Sequence, residues 1–204
     1  DVIGGLDWVL YNAKEHNIRI VNLSLSASST SSWVNDPLAQ AARAVVASGI
    51  VVVTAAGNYG MATGKVTHGT VGSPGNDPSV ITVGSSNMKL TTQRSDDVVN
   101  NFSSRGPTRG GMVMSSGQRV VDNLLKPDLV APGNAMVSAA STSALGQWNR
   151  LAAQNTGLLS GLTDQVLNQT LMMLSGTSVS APVVSGAVAL MLQANPGLTP
   201  PLVK

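Results

Sequence analysis

Apolar residues at Val2, Ile3, Leu6, Val9, Leu10 and Ala13 recur at helical spacing, so the chain opens on an amphipathic helix. The period then changes. Ile18-Arg19-Ile20-Val21-Asn22-Leu23-Ser24-Leu25 is a short β-branched run and reads as a strand. Ser26 to Ser32 is a Ser/Thr loop. Asp36-Pro37 opens a second helix, because the first helical position has no use for the N–H that proline lacks. That helix runs through Leu38, Ala41, Ala42, Val45 and Val46 and stops at Ser48-Gly49. Ile50-Val51-Val52-Val53-Thr54-Ala55-Ala56 is almost continuously apolar, the pattern of a strand covered on both faces. Helix, strand, helix, strand in this order implies right-handed crossovers and a mostly parallel sheet flanked by helices, an α/β fold.

Gly57-Asn58 ends the buried strand, and Val71 to Pro78 forms a Gly/Pro loop. Ser79 to Ser85 is a further strand. Residues 100–119 read as loop, with a short strand near Val120, and Leu129-Val130-Ala131-Pro132-Gly133 closes another. Residues 139–173 alternate between polar and apolar, with helical spacing at Leu145 to Leu151 and at Val166 to Met172, and read as an insertion. Ser175 to Gln193 carries the last long helix. Neither an internal repeat nor a low-complexity linker divides the chain, so residues 1–204 read as one domain.

Composition narrows the chemistry. Hydrophobic residues make up 43% and charged residues 11%, too apolar for a disordered chain. The net charge of +2 comes with no basic run and no aromatic-plus-basic interleaving, which argues against nucleic acid as a partner. Without cysteine, disulfides, zinc thiolate sites and a thiol nucleophile are excluded. No apolar run is expected to reach the roughly 18 residues of a membrane span. The first residue falls inside a helix without a preceding Met, and the last residues follow directly on a new turn. Both ends read as cut, so the expectation is a piece of a longer protein.

The candidate chemistry lies in Leu174-Ser175-Gly176-Thr177-Ser178-Val179-Ser180-Ala181-Pro182, where a Gly/Ser/Thr turn becomes an apolar helix. A serine at this junction is near free backbone N–H groups and the positive end of the helix dipole, which also stabilise an oxyanion formed beside it. The plain reading is that Thr177 or Ser178 merely caps the helix. The longer string Gly-Thr-Ser-x-x-Ala-Pro-x-x-x-Gly resembles the nucleophile segment of the subtilisin-like serine proteases, the subtilases. Further segments agree in order and spacing: Ile20 to Leu25, Val51 to Asn58, Pro74 to Gly84, Asn101 to Pro107 and Lys126 to Gly133.

The resemblance implies a three-layer subtilisin-like fold, incomplete at its N-terminus, with residues 1–204 as a partial peptidase domain. It implies that Ser178 is the nucleophile of a serine endopeptidase that works through an acyl-enzyme. Asn58 matches the side-chain donor that binds the oxyanion together with the Ser178 N–H; as a plain turn residue it would simply follow Gly57. Ser24, Leu25 and Ser26 match the segment that pairs with extended substrate, and the family usually has glycine where Ser26 stands. Ala55, Ala56 and Gly57 match one wall of the pocket for the residue before the scissile bond, and their small size implies a roomy apolar pocket. Thr177 joins them as a substrate-binding residue.

The activating half of such a site is expected upstream. In the family the catalytic Asp and His precede the strand at 20–25, so the isolated piece should be nearly inactive. His16 reads as a solvated residue at a helix end. His68-Gly69-Thr70 copies the family's catalytic string but follows Asn58, and Gly72, Pro74 and Gly75 forbid the helix that string should open; His68 therefore reads as a surface-loop coincidence. Asp36, Asp77 and Asp128 adjoin prolines and read as turn or cap residues. The family resemblance also implies a polypeptide substrate, secretion to the extracellular space and no required cofactor. Bound calcium is common in the family, but no carboxylate cluster here defines a site. The missing N-terminal part of the same domain is a further expected partner. The other reading is a non-catalytic peptide-binding pseudoprotease that keeps the cleft without the triad.

Overall fold

The computed structural model describes residues 1–140, 151, 155–158 and 171–204. Helix α1, Val2–Asn12, leads into β1, Ile20–Leu23. Helix α2, Pro37–Ala47, leads into β2, Val51–Ala55. Two short hairpin strands follow, β3 (Met61–Ala62) and β4 (Lys65–Val66), then β5, Ile81–Asn87. The remaining strands are β6 (Val98–Val99), β7 (Gly111–Val113), β8 (Arg119–Val121), β9 (Leu129–Pro132), β10 (Met136–Ala139) and β11 (Leu171–Leu174). Helix α3, Thr177–Ala194, and the short α4, Pro200–Val203, close the chain.

The main sheet joins β1, β2, β5 and β9 in parallel, in the registers Ile20↔Val51, Val53↔Ile81 and Val83↔Leu129, and β6 adds antiparallel to the end of β5. Its two faces bury different residues of the same strands. Val51, Val53 and Ala55 of β2 pack with Ala181, Val184, Val188 and Leu192 of α3. Val52 packs on the other side with Leu6 of α1 and Ala42 and Val45 of α2. A strand sandwiched in this way favours apolar side chains on both faces, which explains the run of valines. Its one polar residue, Thr54, donates its hydroxyl to the Leu25 carbonyl at 3.3 Å.

Several boundaries differ from the sequence expectation. The last helix starts at Thr177, because Ser175 and Gly176 still belong to the turn. The loop expected over 100–119 contains β7, which pairs with β8. Leu171 and Met172, expected in helical spacing, lie in β11, which pairs antiparallel with β10 at Ala139↔Leu171. Strand pairing prevails here, and Met172 buries its side chain against Ala140. The spacing at Leu145 to Leu151, and most of that at Val166 to Met172, lies outside the described residues. Helix α3, with a mean hydropathy of 1.4 over 18 residues, is long and apolar enough to cross a membrane, contrary to the expectation that no run reaches that length. One face of it, Ala181, Val184, Val188 and Leu192, packs against the sheet, while Val183, Leu190 and Met191 are exposed.

Candidate functional site

The C-terminal ends of β1 and β2 lie side by side, and the N-terminus of α3 meets them there. In open parallel sheets this edge is where loops leave the sheet to form ligand sites. Gly57 turns the chain away from β2 with φ +105°, a left-handed value that favours glycine. The turn places Asn58 against α3.

The Asn58 carboxamide is held by its oxygen. The Thr177 N–H donates to Asn58 Oδ1 at 2.9 Å, and the Thr177 hydroxyl donates to the same oxygen at 3.0 Å. The Thr177 hydroxyl oxygen in turn accepts the Gly57 N–H at 3.1 Å. With Oδ1 occupied twice, the amide nitrogen is the end left for a ligand. A Cβ built on Gly176 would lie 3.3 Å from Asn58 Nδ2 and 3.7 Å from the Ser178 nitrogen. Those two donors thus flank one small space, which glycine at 176 keeps open. Among the described residues, neither Asn58 Nδ2, the Ser178 N–H nor the Ser178 hydroxyl makes a hydrogen bond.

The plain capping reading of the helix start does not hold. Gly176 is the N-cap, and no side chain caps α3. The Thr177 hydroxyl is committed to Asn58 and Gly57, while Ser178 is half-buried with its hydroxyl free of the backbone. Pro182 lies four residues after Ser178 and has no N–H to give to the Ser178 carbonyl, so the first turn is set by packing as well as by helix hydrogen bonds.

The residues grouped as substrate-binding divide by exposure. Ser24 is exposed, and Leu25 and Ser26 are half-buried, along the chain leaving β1. Thr177 is fully buried and acts on Asn58, so its geometry is that of a positioning residue. Ala55 belongs to the core against α3. Ala56 turns its carbonyl toward Ser26, whose hydroxyl donates to it at 3.3 Å. The small walls expected to bound an apolar pocket thus also carry a hydroxyl.

His68 is exposed and sits 3.2 Å from the Gly106 carbonyl, at a hollow lined by Pro107, Leu125 and Pro127, away from the Ser178 neighbourhood. His16 is also exposed and stacks on Trp8 with ring centroids 5.6 Å apart. Among the described residues there is no group of three or more His, Asp or Glu side chains that could hold a metal ion. The carboxylates serve the fold instead. Asp36 caps α2 through the Leu38 and Ala39 N–H groups, and accepts the Ser29 and Ser73 hydroxyls at 2.6 Å each. Burial pushes its pKa up, but these four donors outweigh burial and hold it below the ordinary carboxylate value. Asp77 pairs with Arg43 at 2.9 Å. Asp128 accepts Lys126 Nζ at 2.7 Å and Lys204 Nζ at 3.1 Å.

Sequence reasoning missed the role of Thr177 in orienting Asn58, and it missed the buried Lys126. Thr177 carried no signal, because its partners lie 119 and 120 residues away. An isolated lysine in Lys126-Pro127-Asp128 could have suggested an ion pair, but not its burial.

Comparison with known proteins gives the family. The model of the subtilase family, Peptidase_S8, matches residues 1–204. The chain is 34% identical over 213 residues to serine protease AprX of Bacillus subtilis (strain 168), covering 100% of this chain and 41% of AprX. It is 29% identical over 198 residues to subtilisin E of the same strain, covering 97% of this chain and 36% of that protein. Among solved structures, a cold adapted subtilisin-like serine proteinase superimposes with a TM-score of 0.61 at 27% identity, over 99% of this chain and 50% of its own. Sphericase, at 21% identity and a TM-score of 0.65, shares the fold over 99% of this chain and 52% of its own. The chain thus spans less than half of these curated relatives and about half of these solved structures, and it belongs to the subtilase family of subtilisin-like serine proteases.

Proposed function

We propose that this chain carries the nucleophile and oxyanion half of a serine endopeptidase. The observation that carries the reading is the pair of free donors, Asn58 Nδ2 and the Ser178 N–H, around one space beside the unbonded Ser178 hydroxyl. Ser178 Oγ attacks the scissile carbonyl carbon, and its proton passes to a histidine that the family resemblance assigns to sequence outside this chain. The carbonyl oxygen, now negative, moves between the two donors, where a charge present only in the transition state gains most. Collapse breaks the C–N bond, and the histidine returns the proton to the leaving amine. Water then hydrolyses the acyl ester on Ser178 by the same steps in reverse roles.

Extended substrate lies along Ser24-Leu25-Ser26, the partly exposed segment that leaves β1 and offers main-chain groups as a strand would. No step needs a metal or cofactor. Secretion is proposed from the family resemblance alone.

The test is fluorophosphonate labelling. The full protein that contains this chain should label at Ser178, and the isolated 204 residues should label slowly or not at all. Fast labelling of Ser178 in the isolated chain would refute the claim that the base lies outside it. Failure of the full protein to label would favour the pseudoprotease reading.

A further inference from the structure

We propose that Ser26 sets the width of the pocket for the residue preceding the scissile bond, and restricts that residue to small side chains. The inference rests on the protease reading above and names the substrate class of the same site.

The chain segments after β1 and β2 run together, since Leu23 is in register with Thr54. Ser26 on one segment faces Ala56 and Gly57 on the other, and Gly72 lies alongside. The Ser26 hydroxyl bridges the segments by donating to the Ala56 carbonyl at 3.3 Å. A Cβ built on Gly57 would come within 2.9 Å of Ser26 Oγ, and one built on Gly72 would collide with it. The hydroxymethyl group of Ser26 therefore occupies the volume that two glycines leave between the walls. Together with the Ser104 hydroxyl, which lies equally near the Gly57 position at 2.9 Å, it makes this slot of backbone and small side chains both narrower and more polar.

The slot does not depend on this hydroxyl for its shape. The Ala56 carbonyl also accepts the Gly72 N–H at 3.3 Å. Ala27 and Ser73 exchange backbone hydrogen bonds at 2.8 Å in each direction, tying the first segment to the Gly72 loop. Removing the Ser26 side chain should widen the slot on the Gly72 side and leave its walls, Ser104 included, standing. A substrate side chain of alanine size fits beside the hydroxyl, whereas leucine or phenylalanine needs the space it fills.

The experiment uses the full protein containing this chain and peptide substrates that differ only in the residue before the cleaved bond: alanine, leucine or phenylalanine. Wild-type kcat/KM should favour alanine over phenylalanine by about 10-fold or more, the scale at which pockets reject extra methylenes. In Ser26→Gly the phenylalanine-to-alanine ratio should rise about 10-fold or more, and Ser26→Thr should lower it. Should Ser26→Gly fail to fold, Ser26→Ala, which removes only the hydroxyl, must shift the ratio in the same direction. Equal use of alanine and phenylalanine by the wild type, or an unchanged ratio in the folded glycine or alanine variant, overturns the inference while the protease reading stands. Absence of any Ser178-dependent cleavage overturns the protease reading, and this inference with it.

Discussion

The two ends of the parallel sheet treat polar groups in opposite ways. At the C-terminal end, where β2 turns into Asn58 and meets α3, the Asn58 amide nitrogen, the Ser178 N–H and the Ser178 hydroxyl are left without partners among the described residues. At the N-terminal end, where β5 and β9 begin, the charged groups are saturated, and among the described residues only Asn76 Oδ1, in the loop entering β5, is buried there without a partner. Lys126 Nζ donates to the Val80 carbonyl, the Thr82 hydroxyl and Asp128, and Lys204 Nζ donates to the Pro78 and Val80 carbonyls. Asp128 also accepts the Thr82 N–H at 2.7 Å. A buried polar group without a partner costs stability, so a saturated cluster serves the fold. Donors left free at an exposed or half-exposed edge are open to water and so cost the fold little. The difference is the one expected between a structural centre and the binding site proposed above.

The comparison can be broken by substitutions that touch one end alone. Ser178→Ala in the full protein should lower kcat about 10⁶-fold, the loss measured in subtilisin for the nucleophile, and leave the melting temperature nearly unmoved. A melting shift comparable to that of a core variant would show that Ser178 serves the fold. Asn58→Asp should come next. It keeps the oxygen that Thr177 holds and removes the donor, so kcat should fall about 10²–10³-fold with little change in KM. That range was measured in subtilisin, a member of this family, and is adopted here. A loss confined to KM would place Asn58 in ground-state binding instead.

Changes at the structural centres should act on stability alone. Asp36→Ala removes the cap of α2 and the partner of two hydroxyls, and should cost about 2–3 kcal/mol in denaturant unfolding. The pH dependence carries a sign. The Asp36 pKa is lowered on folding, so its contribution is complete above the unfolded value of 3.8 and is lost as pH falls through the lower folded value. Acid titration of Asp36→Ala should lack that part of the slope. Lys126 is the mildest case. Burial, joined by the neighbouring Lys204, lowers its pKa to about 8 against the opposing pull of Asp128. Between about 8 and the unfolded value of 10.5, the unfolded chain binds more protons, so this lysine's contribution to stability rises with pH. The stability of wild type relative to Lys126→Met should therefore grow between pH 8 and 10.5. A flat difference would mean that Asp128 keeps Lys126 charged throughout that window.

Much of the fold was legible because its signals are local. The valine run of β2 needs burial on both faces, and α2 announces itself through Asp36-Pro37 and Ser48-Gly49. The placing of Asp36 at a helix cap was readable from its neighbour, but its bonds to Ser29 and Ser73 were not, because they span 7 and 37 residues. The hairpin of β7 and β8 was half seen, since Gly110 and Gly111 hide a strand that only its partner reveals. His68 shows the converse. Its motif matched, yet its order in the chain and the Gly/Pro residues after it argued against the match, and it lies at a surface hollow.

The sequence by itself determined that an α/β sheet would form, that a serine would stand at the start of an apolar helix, and that an asparagine would follow a buried strand. These follow from backbone preferences and hydrophobic period, which act over a few residues. Only the tertiary structure decided which end of the Asn58 amide is free and which way Ser26 points. Both depend on atoms brought together across the sheet: Thr177 reaches Asn58 from 119 residues away, and Ser26 reaches Ala56 across 30. Packing, not local propensity, leaves one donor available and turns one hydroxyl toward the neighbouring strand end.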